Sequence, residues 1–196
     1  MMESLKEFDK DLFLYLNGLH ASWLDQPMFV FSNTVTWIPL YAFLLYLFIR
    51  DYGRDTWIFL LGVVLTIVLA DQISSSLIKP VFERLRPSHD PTLKGMVHYV
   101  NDYHGGLYGF VSSHAANTFG TATFFFLLFR RKRKGIFVLY SWALFVSFTR
   151  IYLGVHYPGD IVGGALVGVC CAYLCHFLTT RLYVQVVRMR QELPAK

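Results

Sequence analysis

The feature that most constrains this chain is a series of apolar runs too long for a water-soluble core. Met28 to Ile49 is a run of 22 residues without one charged side chain. At about 1.5 Å per residue, such a helix crosses a hydrocarbon layer of roughly 30 Å. Further runs follow at Trp57–Ile78, Ser113–Phe129, Gly135–Thr149 and Asp160–Leu178. Hydrophobic residues make up 55% of the sequence and charged residues only 16%, a balance that fits a bilayer and not water. The expected fold is therefore an all-α membrane protein in a single domain, residues 1–196, built on a bundle of five transmembrane helices, or six if the first helix also crosses.

The segment before the first run reads differently. Leu5, Phe8, Leu12, Tyr15, Leu16 and Leu19 fall on one helical face, with Lys6, Asp9 and Asn17 elsewhere, which predicts an N-terminal amphipathic helix lying in the interface. Its early charges, Glu3, Lys6, Glu7, Asp9, Lys10 and Asp11, exclude the apolar core of a cleavable signal. Cys170, Cys171 and Cys175 share one apolar run and read as small packing residues. Gly164 and Gly168 form a small-xxx-small pair suited to close helix packing. Asp71, two turns inside the second run, would cost roughly 2.5–3.5 kcal/mol or more if it faced lipid, so it should face the bundle interior.

A net charge of +5 could suggest nucleic acid, but the basic residues sit between apolar runs, so the expected partner is the bilayer and no nucleic acid. Five crossings place Arg50 and Arg54, the cluster Arg130–Lys134, and Arg181, Arg188, Arg190 and Lys196 on one side, eleven basic residues against seven on the other. The richer side is cytoplasmic by the positive-inside rule. The loop from Lys79 to Ser112 and the one from Arg150 to Gly159 then face outward, to the periplasm in a bacterium.

Those outward loops hold polar groups that membrane packing does not require. They are Lys79 and Arg86, Ser112, Ser113 and His114, and Arg150 followed by His156 and Asp160. Two guanidinium groups and an ammonium suit a tetrahedral dianion, so the implied ligand is a phosphate. The third and fifth runs begin beside these residues, and helix N-termini favour an anion. His156 and Asp160 are four residues apart, close enough for the carboxylate to hold one imidazole nitrogen and leave the other free to attack. His114 could act as general acid, and Lys79, Arg86 and Arg150 could neutralise charge on the phosphoryl oxygens. This chemistry requires no metal ion and no cofactor.

The three segments resemble the signature of the type 2 phosphatidic acid phosphatase superfamily. Its first motif, Lys-x6-Arg-Pro, is matched by Lys79, Arg86 and Pro87. Its second, Pro-Ser-Gly-His, reads Val111-Ser112-Ser113-His114, which keeps the serine and histidine but loses the proline and glycine. Its third, Ser-Arg-x5-His-x3-Asp, is matched by Arg150, His156 and Asp160 with Thr149 in the serine place. The resemblance implies a helical membrane phosphatase, of five spans here where many bacterial relatives have six. It makes His156 the nucleophile that forms a phosphohistidine, Asp160 its partner, His114 the acid, and Lys79, Arg86, Ser112 and Arg150 phosphate ligands, with the Ser113 backbone N–H as a further donor. The implied substrate is a membrane lipid phosphate, undecaprenyl diphosphate or a phosphate of lipid A first. A lipid phosphotransferase and a non-catalytic lipid-phosphate binder are the alternatives.

Overall fold

In the computed structural model, which describes residues 2–192, the regular structure is helical, with one isolated antiparallel bridge between Leu85 and Tyr108. Helices α1 (Met2–Gly18) and α2 (Ser22–Ser32) precede α3 (Ile38–Tyr52) and α4 (Thr56–Gln72). A wide π-helical turn, Ile73–Ile78, then leads into the short α5 (Lys79–Phe82). After a long irregular loop come α6 (Ser113–Phe129), α7 (Val138–Tyr152) and α8 (Pro158–Glu192). Local chemistry explains several of these boundaries. Ser112 caps α6 by accepting a hydrogen bond from the Ala115 N–H, and Pro158 starts α8 where a missing N–H costs nothing.

Three helical stretches among the described residues are long and apolar enough to cross a bilayer: Thr34–Phe82, Lys134–Tyr152 and Pro158–Glu192. The first folds back on itself at Gly53, so that Phe48 and Tyr52 of α3 pack on Phe59 of α4, with ring centroids 6.2 and 4.0 Å apart. Phe124, Phe125 and Phe129 of α6 complete this aromatic core. The exterior is apolar where a soluble protein would be polar, since Trp57, Val64, Leu144, Leu166 and Leu174 are all more than half exposed. Lipid is the solvent that such a surface fits.

The centre of the bundle is the contact of α6 with α8. A Cβ added to Gly164 would collide with the Ser112 carbonyl oxygen, and one added to Gly168 with that of Ala116. The glycine pair therefore packs within the chain and brings the start of α8 against the start of α6. The two loop ends are joined directly, as the Ser112 N–H donates to the Asp160 carbonyl at 2.9 Å.

Two expected boundaries are corrected. Met28–Ile49 is not a single helix, because α2 ends at Ser32 and a short 3-10 turn over Thr34–Trp37 leads into α3. The Asn33 side chain accepts from the Val35 N–H, Thr36 Oγ1 donates to the Val30 carbonyl and Trp37 Nε1 to that of Phe31. These local bonds offer the backbone an alternative to a continuing helix. Helix α8 also runs on to Glu192, well past Leu178.

The two ends of the bundle carry different polar groups. Arg133 Nη2 meets Asp51 at 2.6 Å, and Arg190 holds both oxygens of Asp55 at 2.8 and 3.2 Å, so the basic residues join the α3–α4 turn to the α6–α7 turn and the end of α8. Lys196, counted with them, lies outside the described residues. At the opposite end, α1 presents Phe13 and Asn17 to the protein. Asn17 Nδ2 donates to the Ile151 and Tyr152 carbonyls at 3.1 and 2.9 Å, and its Oδ1 accepts from the His98 N–H at 2.8 Å. The stripe of Leu5, Phe8, Tyr15 and Leu19 points away from the bundle and is exposed.

Gly168→Val is expected to prevent recovery of monodisperse protein in detergent, because a branched side chain cannot fit between two backbones this close. Gly135→Ala, where nothing lies within 4 Å of the added Cβ, should elute and melt like the parent. Equal behaviour of the two variants in size-exclusion chromatography would contradict the packing described.

Candidate active site

The site is assembled where the α7–α8 loop, the start of α6 and the long loop meet. Gly154 holds the first of these close to the long loop. It has φ +72°, and a Cβ there would lie 2.8 Å from the His98 carbonyl oxygen, so only glycine allows the approach. His156, two residues on, is 1% exposed. Its Nδ1 lies 3.3 Å from Asp160 Oδ2, an oxygen that also accepts the Tyr157 N–H at 3.0 Å. That arrangement fixes the carboxylate and leaves Nε2 of the imidazole for other work. Burial first, and then the charges of Arg86, Arg150 and Lys79, hold the His156 pKa well below its usual 6.5, so the ring is a neutral base. Arg86, Arg150 and Lys79 are thus near enough to His156 for their charges to act on it.

The cations are positioned by oxygens of the protein backbone and by hydroxyls. Arg86 donates through Nε to the Tyr108 carbonyl at 3.1 Å and through Nη1 to that of Val155 at 3.5 Å. Arg150 is held by Ser32 Oγ on Nη1 and by the Tyr103 hydroxyl on Nη2 at 3.0 Å, while its Nε is buried without a partner. An unpaired donor on a buried guanidinium is what a bound oxyanion would satisfy. Burial would raise the Tyr103 phenol, but the Arg150 charge and hydrogen bond, with Arg86, outweigh it and lower its pKa. Lys79 Nζ donates to Ser113 Oγ at 2.9 Å, and Ser74 and Ser75 reach the same hydroxyl at 2.9 and 3.0 Å. The serine in the glycine place is thus tied to the first motif's lysine. Ser112 is fully buried, its hydroxyl engaged as the cap of α6. His114 and Arg150 line one cavity of about 200 Å³ together with Ser32, Thr34 and Tyr103.

Several groups here escape a reading by motif. Arg84 donates to Asp160 Oδ1 at 3.1 Å and to Asp9 Oδ2 at 2.7 Å, and its guanidinium lies 4.0 Å from the centre of the Tyr157 ring. Asp9 Oδ1 also accepts the Gly159 N–H at 2.7 Å. Helix α1 therefore reaches the His156–Asp160 pair through one arginine. Ser32 and Tyr103 hold Arg150, and the signal for the former is present as the polar triplet Ser32-Asn33-Thr34 inside an apolar run. No spacing rule points to Asp9 or Tyr103, which arrive from far along the chain. In the same loop His98 meets Asp25 at 2.9 Å and stacks on His20, and His104 meets Asp102 at 2.8 Å.

Known proteins bear on this geometry. The family model described as PAP2 superfamily matches residues 55–183. The lipid A 4'-phosphatase of Bacteroides thetaiotaomicron is 38% identical over 196 residues, covering 99% of this chain and 85% of the relative. The lipid A 4'-phosphatase of Porphyromonas gingivalis is 36% identical over 181 residues, covering 89% and 74%. The crystal structure of a transmembrane PAP2-type phosphatidylglycerolphosphate phosphatase from Bacillus subtilis shares the fold, with a TM-score of 0.66 at 19% identity over 91% of this chain and 87% of that one.

The depressed pKa of His156 has a consequence for stability. A group whose folded pKa lies below its unfolded value contributes stability that is present above about pH 6.5 and lost as pH falls toward the folded value. Thermal unfolding in detergent should therefore show Tm declining below about pH 6.5. His156→Gln should flatten that part of the decline, and a variant with the parent's slope would show that the ring is not held neutral.

Proposed function

The chain belongs to the PAP2 superfamily and is an integral-membrane lipid phosphatase, and from that premise we propose that it hydrolyses a lipid phosphomonoester through a phosphohistidine on His156. The observation that carries this reading is the buried His156–Asp160 pair surrounded by Arg86, Arg150 and Lys79. His156 Nε2 attacks phosphorus while the bond to the lipid oxygen breaks, and the three cations neutralise the oxygens as charge builds on them. Asp160 stabilises the imidazolium character that develops on the ring. His114, which takes up a proton as the dianion arrives beside it, gives that proton to the leaving oxygen. Water then attacks the phosphohistidine, returns a proton to His114 and releases phosphate.

The substrate favoured is a lipid A 4'-phosphate. It is what the two relatives at 38% and 36% identity are named for, and both align over most of their own length. The asymmetry of basic residues supports a site on the extracytoplasmic side of a bacterial inner membrane, where α1, with its exposed stripe of Leu5, Phe8 and Tyr15, would lie along the surface. The whole chain acts as one phosphatase unit in this reading.

His156→Ala is expected to lower phosphate release from a lipid panel by roughly 10³-fold or more. Rapid quench with radiolabelled lipid phosphate should leave base-stable label on the parent and none on His156→Ala. Activity should survive a metal chelator, and its loss there would overturn the scheme in which protein cations carry the charge. Arg84→Ala should reduce kcat about tenfold or more, near 1.4 kcal/mol, with little change in KM, since Arg84 is engaged by Asp160 and Asp9 and acts by orienting Asp160. A change confined to KM would refute that positioning role.

A further inference from the structure

A second cavity, of about 310 Å³, lies beside the first and extends into the bundle between α3, α4 and α6. His114, Ser32 and Thr34 line both cavities, so the two adjoin at these residues. Along α6 its wall is His114, Asn117, Thr118, Thr121 and Phe125, positions spaced to fall on one helical face. From His114 to Phe125 that wall descends about 16 Å at 1.5 Å per residue. Leu45 and Leu60 stand at the lining and are 39% and 37% exposed, so the cavity opens sideways to lipid.

The polarity of this wall falls with depth: an imidazole at the mouth, an amide one turn below, hydroxyls next and an aromatic ring at the floor. Thr118 Oγ1 is satisfied by the His114 carbonyl at 2.8 Å. Asn117 Oδ1 is buried and has no hydrogen-bond partner. A buried amide oxygen left unpaired is destabilising, and a wholly hydrocarbon occupant would leave it so. Rotation of the amide about χ2 presents either its acceptor or its two donors to the cavity.

We infer that this cavity seats an acyl chain of the lipid phosphate, and that Asn117 hydrogen-bonds a carbonyl or hydroxyl group in the chain's first few atoms below the phosphate. The assignment rests on the phosphatase reading and deepens it. An ester- or amide-linked acyl chain carries a polar group at that depth and hydrocarbon beyond it, which matches the wall from Asn117 to Phe125. A polyprenyl phosphate has hydrocarbon directly below its phosphate and matches the wall only at the floor. Asn117 is thus the residue that selects acylated lipids over isoprenoid ones.

The test uses synthetic glucosamine 4-phosphates that differ only in a 3-O-acyl chain or a 3-O-alkyl ether of equal length, with farnesyl phosphate as the isoprenoid. The parent should prefer the acyl compound to the ether by about tenfold in kcat/KM, chiefly through KM. Asn117→Leu, close in size, should bring the acyl-to-ether ratio near one and narrow the gap to farnesyl phosphate, while Asn117→Gln should restore part of the preference. Equal rates of phosphate release from acyl and ether compounds in the parent, or an unchanged ratio in a folded Asn117→Leu, would overturn the assignment of the cavity and leave the phosphatase reading standing. Release from none of the three by the parent would overturn both.

Discussion

The carboxylate of Asp160 is the point through which the rest of the site is held. One oxygen receives the Tyr157 N–H and faces His156, and the other receives Arg84, which also binds Asp9 of α1. Its backbone carbonyl takes the Ser112 N–H and so fixes the start of α6, which carries His114. A fully buried carboxylate is tolerated only when hydrogen-bonded and paired, and here each bond that satisfies it also positions a neighbour. The α6–α8 glycine contact makes this possible, since two helix starts must lie almost backbone to backbone before Ser112 and Asp160 can meet.

The surroundings of that point divide cleanly into wet and dry. Cations, hydroxyls and the two imidazoles gather at one end of the bundle, with Asp51, Asp55 and their arginines at the other. Between the ends the exterior is leucine, valine, phenylalanine and tryptophan, for which lipid is the proper solvent. The cavity below His114 crosses from the first environment into the second. A substrate with a charged head and a greasy tail needs such a path, because neither end can be moved cheaply into the other's medium. Arg150 illustrates the coupling: one hydroxyl that holds it, Ser32, stands where the first apolar run breaks, and the other, Tyr103, comes from the long loop.

Much of the fold and of the candidate site is legible in the amino-acid order. Apolar runs longer than a soluble core requires point to the helices, because each must satisfy its own backbone hydrogen bonds in lipid. Lys79, Arg86, His114, Arg150, His156 and Asp160 stand out since charged and imidazole groups beside a membrane span need a reason to be there. The run Met28–Ile49 misleads for a physical reason. Hydropathy averages over a window, whereas Asn33, Thr36 and Trp37 break a helix through individual hydrogen bonds to nearby backbone.

The sequence by itself determined the solvent, the helical class, the division of charge between the two ends and which residues are candidates to bind a phosphate, since these depend on composition and on spacing within short segments. Tertiary structure alone decided which distant residues support them. Asp9 and Arg84 are 75 positions apart, and Arg150 and Ser32 are 118 apart, so no local rule connects either pair. Their meeting follows from the approach of α8 to α6 and from the folding of α1 and α2 over the ends of α7 and α8. Only that packing brings the three motif segments to one end of the bundle, with the unpaired amide of Asn117 a turn below His114.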